Sequence, residues 1–107
     1  MATNGVLGQS YPSATTATTL YTAATSGGTI VSTINVANLG GAADIIRIAV
    51  RPAGAALSNQ HYIVYGLSLA SGANFAWTAG ATLANTDVIT VYSTNGTSAF
   101  SAFGQVQ

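Results

Sequence analysis

Hydrophobic and polar positions alternate with a period of two along most of the chain. The clearest stretch is residues 44–52. There Ile46, Ile48 and Val50 fall on one side, and Ile45, Arg47, Ala49 and Arg51 on the other. This period marks a half-buried β-strand. The same count over residues 29–38 places Ile30, Ile34 and Val36 inward and Val31, Thr33 and Asn35 outward. Over residues 60–65 it groups Tyr62 with Val64, opposite His61, Ile63 and Tyr65. Shorter runs at 20–23, around Phe75 and Trp77, at 87–93 and at 98–106 complete the set. Gly, Asn and Ser punctuate them, and Asn95-Gly96 is a strong hairpin signal. No stretch holds a 3.6-residue apolar period, and Lys and Glu are absent. The pattern predicts an all-β protein, an antiparallel β-sandwich of about eight strands, Ig-like or jelly-roll-like.

The first 17 residues read differently. They are small and polar, with Pro12 suited to an edge or a turn. Val6, Leu7 and Tyr11 are able to form a short edge strand, but the segment as a whole reads as an extended N-terminal arm, with residues 18–107 as a single sandwich domain. Removal of such an arm is expected to leave the domain folded. The expected core is Leu20, Ile30, Ile34, Val36, Ile46, Ile48, Val50, Tyr62, Val64, Trp77, Val88, Val91 and Phe100.

Composition changes this picture in one respect. The chain has 107 residues, enough for one domain with a real core, and no Cys to staple it. Only 4% of residues are charged, and the net charge is zero, from Asp44, Asp87, Arg47 and Arg51. Ordinary soluble domains carry roughly 25%. Near-zero net charge favours association, so much of the surface is expected to lie in an assembly. No basic patch exists to neutralise a phosphate backbone, which argues against nucleic-acid binding. No apolar run approaches the ~18 residues of a membrane-crossing helix, and the first residues do not read as a secretory signal.

Candidate chemistry is sparse. His61, Asp44 and Asp87 fall short of the four ligands of a structural zinc site, although loop carbonyls leave calcium open. Ser and Thr abound, but no Gly-x-Ser-x-Gly elbow accompanies them, and two isolated aspartates make a poor glycosidase pair. No catalytic residue, cofactor or metal is expected. Arg47 and Arg51 lie on one strand face, about 13 Å apart at ~3.3 Å per residue. They are read either as local partners of Asp44 or Asp87, or as anchors into another subunit. Tyr62, Tyr65 or Trp77 are candidates for a sugar-binding platform.

Three segments carry a family resemblance. The first is Thr18 to Thr22 followed by residues 30–38, the second is residues 46–56 with His61 and Tyr62, and the third is residues 87–92. Together they resemble small β-sandwich virion proteins of tailed bacteriophages, similar to capsid decoration or cement proteins. The resemblance implies a non-enzymatic virion component, made in the host cytoplasm and held on the capsid surface. Its implied partners are the major capsid protein and further copies of itself, as a trimer or other homo-oligomer. A tail-, neck- or fibre-associated protein of the same fold is the nearest alternative, and a carbohydrate-binding module a more distant one. On this reading the contact residues are Thr3, Val6, Leu7 and Tyr11 of the arm, with Arg47, Arg51, His61 and Tyr65 on a subunit-facing sheet surface.

Overall fold

The computed structural model describes residues 3–107. Among these, the strands number nine: β1 (Thr3–Ser10), β2 (Thr18–Thr22), β3 (Thr29–Asn38), β4 (Asp44–Arg51), β5 (Tyr62–Leu69), β6 (Asn74–Trp77), β7 (Ala81–Leu83), β8 (Val88–Ser93) and β9 (Ser98–Val106). All pairings are antiparallel. One sheet runs β1-β9-β3-β6, with β7 also on β3, and the other runs β2-β8-β4-β5. β6 pairs with the second half of β3 and β7 with the first half. The two are therefore one broken strand, interrupted at residues 78–80. Counted that way there are eight strands, and their order is that of a jelly roll, which decides between the two sandwich types the pattern left open.

The inner faces meet in a core of Leu20, Ala23, Val31, Ile34, Val36, Ile46, Ile48, Leu69, Leu83, Ile89, Val91, Phe100 and Ala102. Each large apolar side chain buried there contributes about 1.5–3 kcal/mol. Val50, Val64 and Trp77 pack against this cluster only partly buried.

Strict alternation fails wherever a β-bulge inserts a residue. On β3 the register against β9 shifts between Val31 and Thr33, leaving Ser32 as the extra residue. Inward parity therefore changes: Val31 is fully buried, whereas Ile30 is 38% exposed. This reverses the expected assignment of both. On β5 two shifts occur opposite β4, one at Gly66 and one at Ile63. Gly66 has φ +72, a conformation that a side chain disfavours. The Ile63 bulge moves Tyr62 out of the expected core and onto the face that carries Tyr65. Val88 is buried as expected, but on the outer side of its sheet: it pairs with Arg51, and residues 52–54 pack beside it.

The N-terminal segment is not a free arm. Residues 3–10 form a full edge strand on β9, from Thr3 opposite Val106 to Ser10 opposite Phe100. At Gly8 this strand passes so close to β2 that a Cβ would collide with the Leu20 carbonyl. β1 therefore closes one side of the sandwich and belongs to the same folded unit as the remaining strands. Pro12, just beyond it, is buried.

At one end, Asp44 of β4 is fully buried. It accepts hydrogen bonds from the hydroxyls of Ser93 on β8 and Ser98 on β9, the latter at 2.6 Å. The backbone amides of Ile45 and Asn95 also donate to it, at 2.9 Å each. One carboxylate thus ties both sheets to the β8–β9 connection, which crosses from one sheet to the other and is not the hairpin that Asn95-Gly96 suggested. Burial pushes its pKa up, but the four hydrogen bonds outweigh it and hold the group below its ordinary value of 3.8.

Candidate interaction surface

The outer face of the β2-β8-β4-β5 sheet carries three of the eight predicted contact residues, Arg47, Arg51 and Tyr65. β4 lies in the middle, so Arg47 has a cross-strand neighbour on each side: Tyr92 of β8 and Tyr65 of β5. Directly opposed side chains on one face approach within about 5 Å. The guanidinium carbon accordingly sits 4.5 Å from the centroid of each ring. Such cation–π contacts contribute roughly 0.5–2 kcal/mol each. Tyr62 adds a third ring, edge-on to Tyr65 with centroids 4.8 Å apart. The result is a row of Tyr92, Arg47, Tyr65 and Tyr62 across three strands. Tyr65 is 63% exposed, and Asn59, Tyr62 and Tyr65 border an open depression of about 380 Å³.

The other half of this face is covered. Ala49 and Thr90 are outward-facing cross-strand partners, yet both are buried. Arg51 gives the reason. Its Nε donates to Thr90 Oγ1 at 3.0 Å, and an Nη donates to the Ala55 carbonyl at 3.0 Å, which fastens residues 52–55 over the sheet. Asp87 holds the same loop by accepting from the Ala53 amide at 2.9 Å. Its second oxygen accepts from the Ala84 amide at 2.9 Å.

The expected local pairing of arginines with aspartates is therefore replaced by other partners. Asp44 serves the β8–β9 connection, Asp87 two loop amides, Arg51 the covering loop, and Arg47 two aromatic rings. Asp44 also points inward, away from the face of the arginines. His61 is not a surface contact: it is buried, and its Nδ1 accepts the Ser58 amide at 3.1 Å, capping a short 3₁₀ turn at Asn59–His61. Of the four sheet residues predicted from sequence, Arg47 and Tyr65 come together on open surface.

The four N-terminal candidates lie elsewhere. Val6 is 57% exposed on the outer face of the opposite sheet, beside Phe103 and Ile30. With Asn4 and Gln105 they line a second depression, of about 490 Å³. Leu7, the bulge residue of β1, packs against the core instead. Tyr11 is 58% exposed beyond the end of β1, and Thr3 opens the strand. Val6 and Arg47 thus occupy opposite faces, separated by the thickness of two sheets packed about 10 Å apart. They do not form one site.

Tyr92 and Phe103 are surface residues that periodicity alone did not single out. Tyr92 read as part of an apolar run, and only the β4–β8 register reveals its place beside Arg47. Among the described residues no three His, Asp or Glu side chains gather closely enough to hold a metal ion. No protein-family model matches the chain, and no curated protein or solved structure matches it either.

Proposed function

We propose that this protein is a non-catalytic structural subunit of a larger assembly, and that the assembly is the head of a tailed bacteriophage. There it acts as a decoration protein that bridges capsid subunits from outside. The phage assignment rests on the sequence resemblance. The structural role rests on one observation: the few groups able to do chemistry are used by the fold. Asp44 accepts four hydrogen bonds, Asp87 accepts two and His61 is a buried cap. The exposed surface offers Tyr, aliphatic and amide groups instead. Repetition of weak contacts over a lattice gives large avidity without any single strong site. Jelly-roll sandwiches also recur in viral capsid and lectin domains, a likeness of fold that carries no function by itself.

The test is to locate the chain in purified particles by electron microscopy with a fused density marker, and to count copies by quantitative mass spectrometry. A decoration protein covers the shell at a copy number matching its lattice. A handful of copies at the neck, tail or fibres supports the alternative placement within the virion. Absence from particles refutes both. A carbohydrate-binding module is a second reading, favoured by the exposed Tyr65 and Tyr62 beside a depression. It predicts glycan retention that Tyr65→Ser abolishes.

A further inference from the structure

We propose that the Tyr92–Arg47–Tyr65 row is a receptor for a carboxylate side chain of a different protein. The inference rests on the outer sheet face being a docking surface, and not on the assembly being a phage head.

Three observations carry it. First, Arg47 is an arginine without an anion. Its Nε is buried and has no hydrogen-bond partner, although the rings on both sides hold the group in place. The Nε itself is enclosed, but the two Nη groups are not among the buried atoms, and they are the donors an incoming anion can reach. The residue as a whole is half-buried. A planar fork clamped between two rings is already oriented for two parallel hydrogen bonds to one carboxylate.

Second, the chain cannot supply that anion from its own acidic side chains. It has two, Asp44 and Asp87. The first is buried on the inner side of its sheet, and both oxygens of the second already accept loop amides. A second copy presents the same two engaged groups. Neither aspartate of this sequence, in the same or a second copy, is free to pair with Arg47, and the partner we infer is a different protein.

Third, the surroundings fit a protein partner better than a sugar. Beside the row, Ile45 lies two positions from Arg47 on the same face of β4 and is 44% exposed, and Ile63, 38% exposed, follows Tyr62 at the β5 bulge. Tyr and Arg ringed by aliphatic surface is the composition of the centre of a protein–protein interface. The bound element we infer is a strand or loop that places one Asp or Glu over Arg47, with apolar neighbours against Ile45 and Ile63.

The experiment uses the full chain as bait for a displayed library of random twelve-residue peptides, counter-selected on Arg47→Met. Enriched peptides are resynthesised with each acid replaced by its amide. We expect enriched sequences to carry Asp or Glu within apolar context. The amide twins should bind roughly tenfold to a hundredfold more weakly, the range for a charge-assisted hydrogen bond. Arg47→Lys keeps the charge but loses the fork, so it should weaken binding and narrow the difference between acid and amide twins without abolishing it. Circular dichroism melts of both variants show that they are folded before they are used. Acid-free consensus peptides overturn the inference, as does binding that Arg47→Lys and Arg47→Met leave unchanged. Retention of sialyllactose beads in place of peptides, sensitive to Tyr65→Ser, overturns it in favour of an acidic glycan. None of these outcomes depends on where the protein sits in a particle, so failure here is distinguishable from failure of the proposed virion role.

Discussion

Replacement of Asp44 by Asn changes almost no volume and removes one charge, so it isolates what the carboxylate does. Oδ1 accepts from the Ile45 and Asn95 amides, and an Asn carbonyl in the same place keeps both bonds. Oδ2 accepts from the Ser93 and Ser98 hydroxyls. An NH₂ group there accepts nothing. Ser98 is able to turn its hydroxyl and become the acceptor. Ser93 is not, because its oxygen already accepts the Gly96 amide at 3.0 Å and the Thr97 amide at 3.3 Å. With both lone pairs occupied, its proton faces the protons of the new amide. The opposite flip is worse, since the NH₂ then meets two backbone N–H groups.

Two hydrogen bonds to a charged acceptor contribute about 1.5–3 kcal/mol each, and Ser98 recovers part of one. Asp44→Asn is therefore expected to destabilise the fold by about 2–4 kcal/mol, against a total of about 5–15 kcal/mol for a domain. In a thermal scan this corresponds to a fall of roughly 10–25 °C. Urea unfolding at pH 7 measures the difference, provided that the slope is unchanged between the two proteins.

Acid supplies a second arm. The folded pKa of Asp44 lies below its ordinary value of 3.8. A depressed carboxylate contributes stability that is complete above the unfolded value and declines as pH falls through the folded one. Asn does not titrate, and the ionisation of Asp87 is common to both proteins. The gap between wild type and variant should thus hold steady above pH ~5 and close progressively below pH ~4. A variant within about 0.5 kcal/mol of wild type at pH 7 refutes the reasoning, because surface-like substitutions fall in that range. So does a gap that persists unchanged to pH ~2.

Two further substitutions test the β3 bulge. Val31→Thr places a hydroxyl in the core and should cost about 1–3 kcal/mol, whereas Ile30→Thr, on the outer face, should cost under about 1 kcal/mol; the reverse order in urea melts would show that alternation runs unbroken through Ser32. Deletion of residues 1–10 removes a strand that pairs with β9 and abuts β2. The product should lose cooperative thermal unfolding and aggregate through the bared β9 edge, and a soluble product with a wild-type melt would restore the view of this segment as a detachable arm.

Much of the architecture was legible in residue order because period-two patterning is a direct consequence of strand geometry. Ile46, Ile48, Ile34, Val36, Val91 and Phe100 follow the count and form the core. The sandwich class follows from that count together with the absence of helical periods. The errors cluster where the backbone departs from two residues per repeat. Ile30 and Val31 exchange places at one bulge, and Tyr62 changes face at another. β7 escaped notice because three residues between a Gly and an Asn-Thr-Asp turn carry too little pattern to count. The N-terminal strand was legible only as a short edge strand at Val6, Leu7 and Tyr11, because its small polar residues show no alternation and what holds it from Thr3 to Ser10 is pairing with β9, at the other end of the sequence. Charge pairing failed for a related reason. Proximity in sequence suggested Asp44 as a partner for Arg47, but adjacent parity places them on opposite faces.

The open half of the outer sheet face illustrates why these departures matter. In an unbroken strand, Tyr62 and Tyr65, three residues apart, would project from opposite sides. The extra residue at Ile63 brings both outward, and the Gly66 bulge lets β5 keep its inward residues Val64 and Leu67 on the core side all the same. Bulges bend an edge strand and re-aim its side chains, and they also spoil its edge as a template for indiscriminate strand pairing. With no Lys available to guard that edge, β5 has bulges in its place. The same two insertions thus discourage uncontrolled association through the backbone and set Tyr62 and Tyr65 on one face, beside the arginine that Tyr92 flanks from β8. Selective contact through the face requires both effects at once. That is the physical reason to place recognition there.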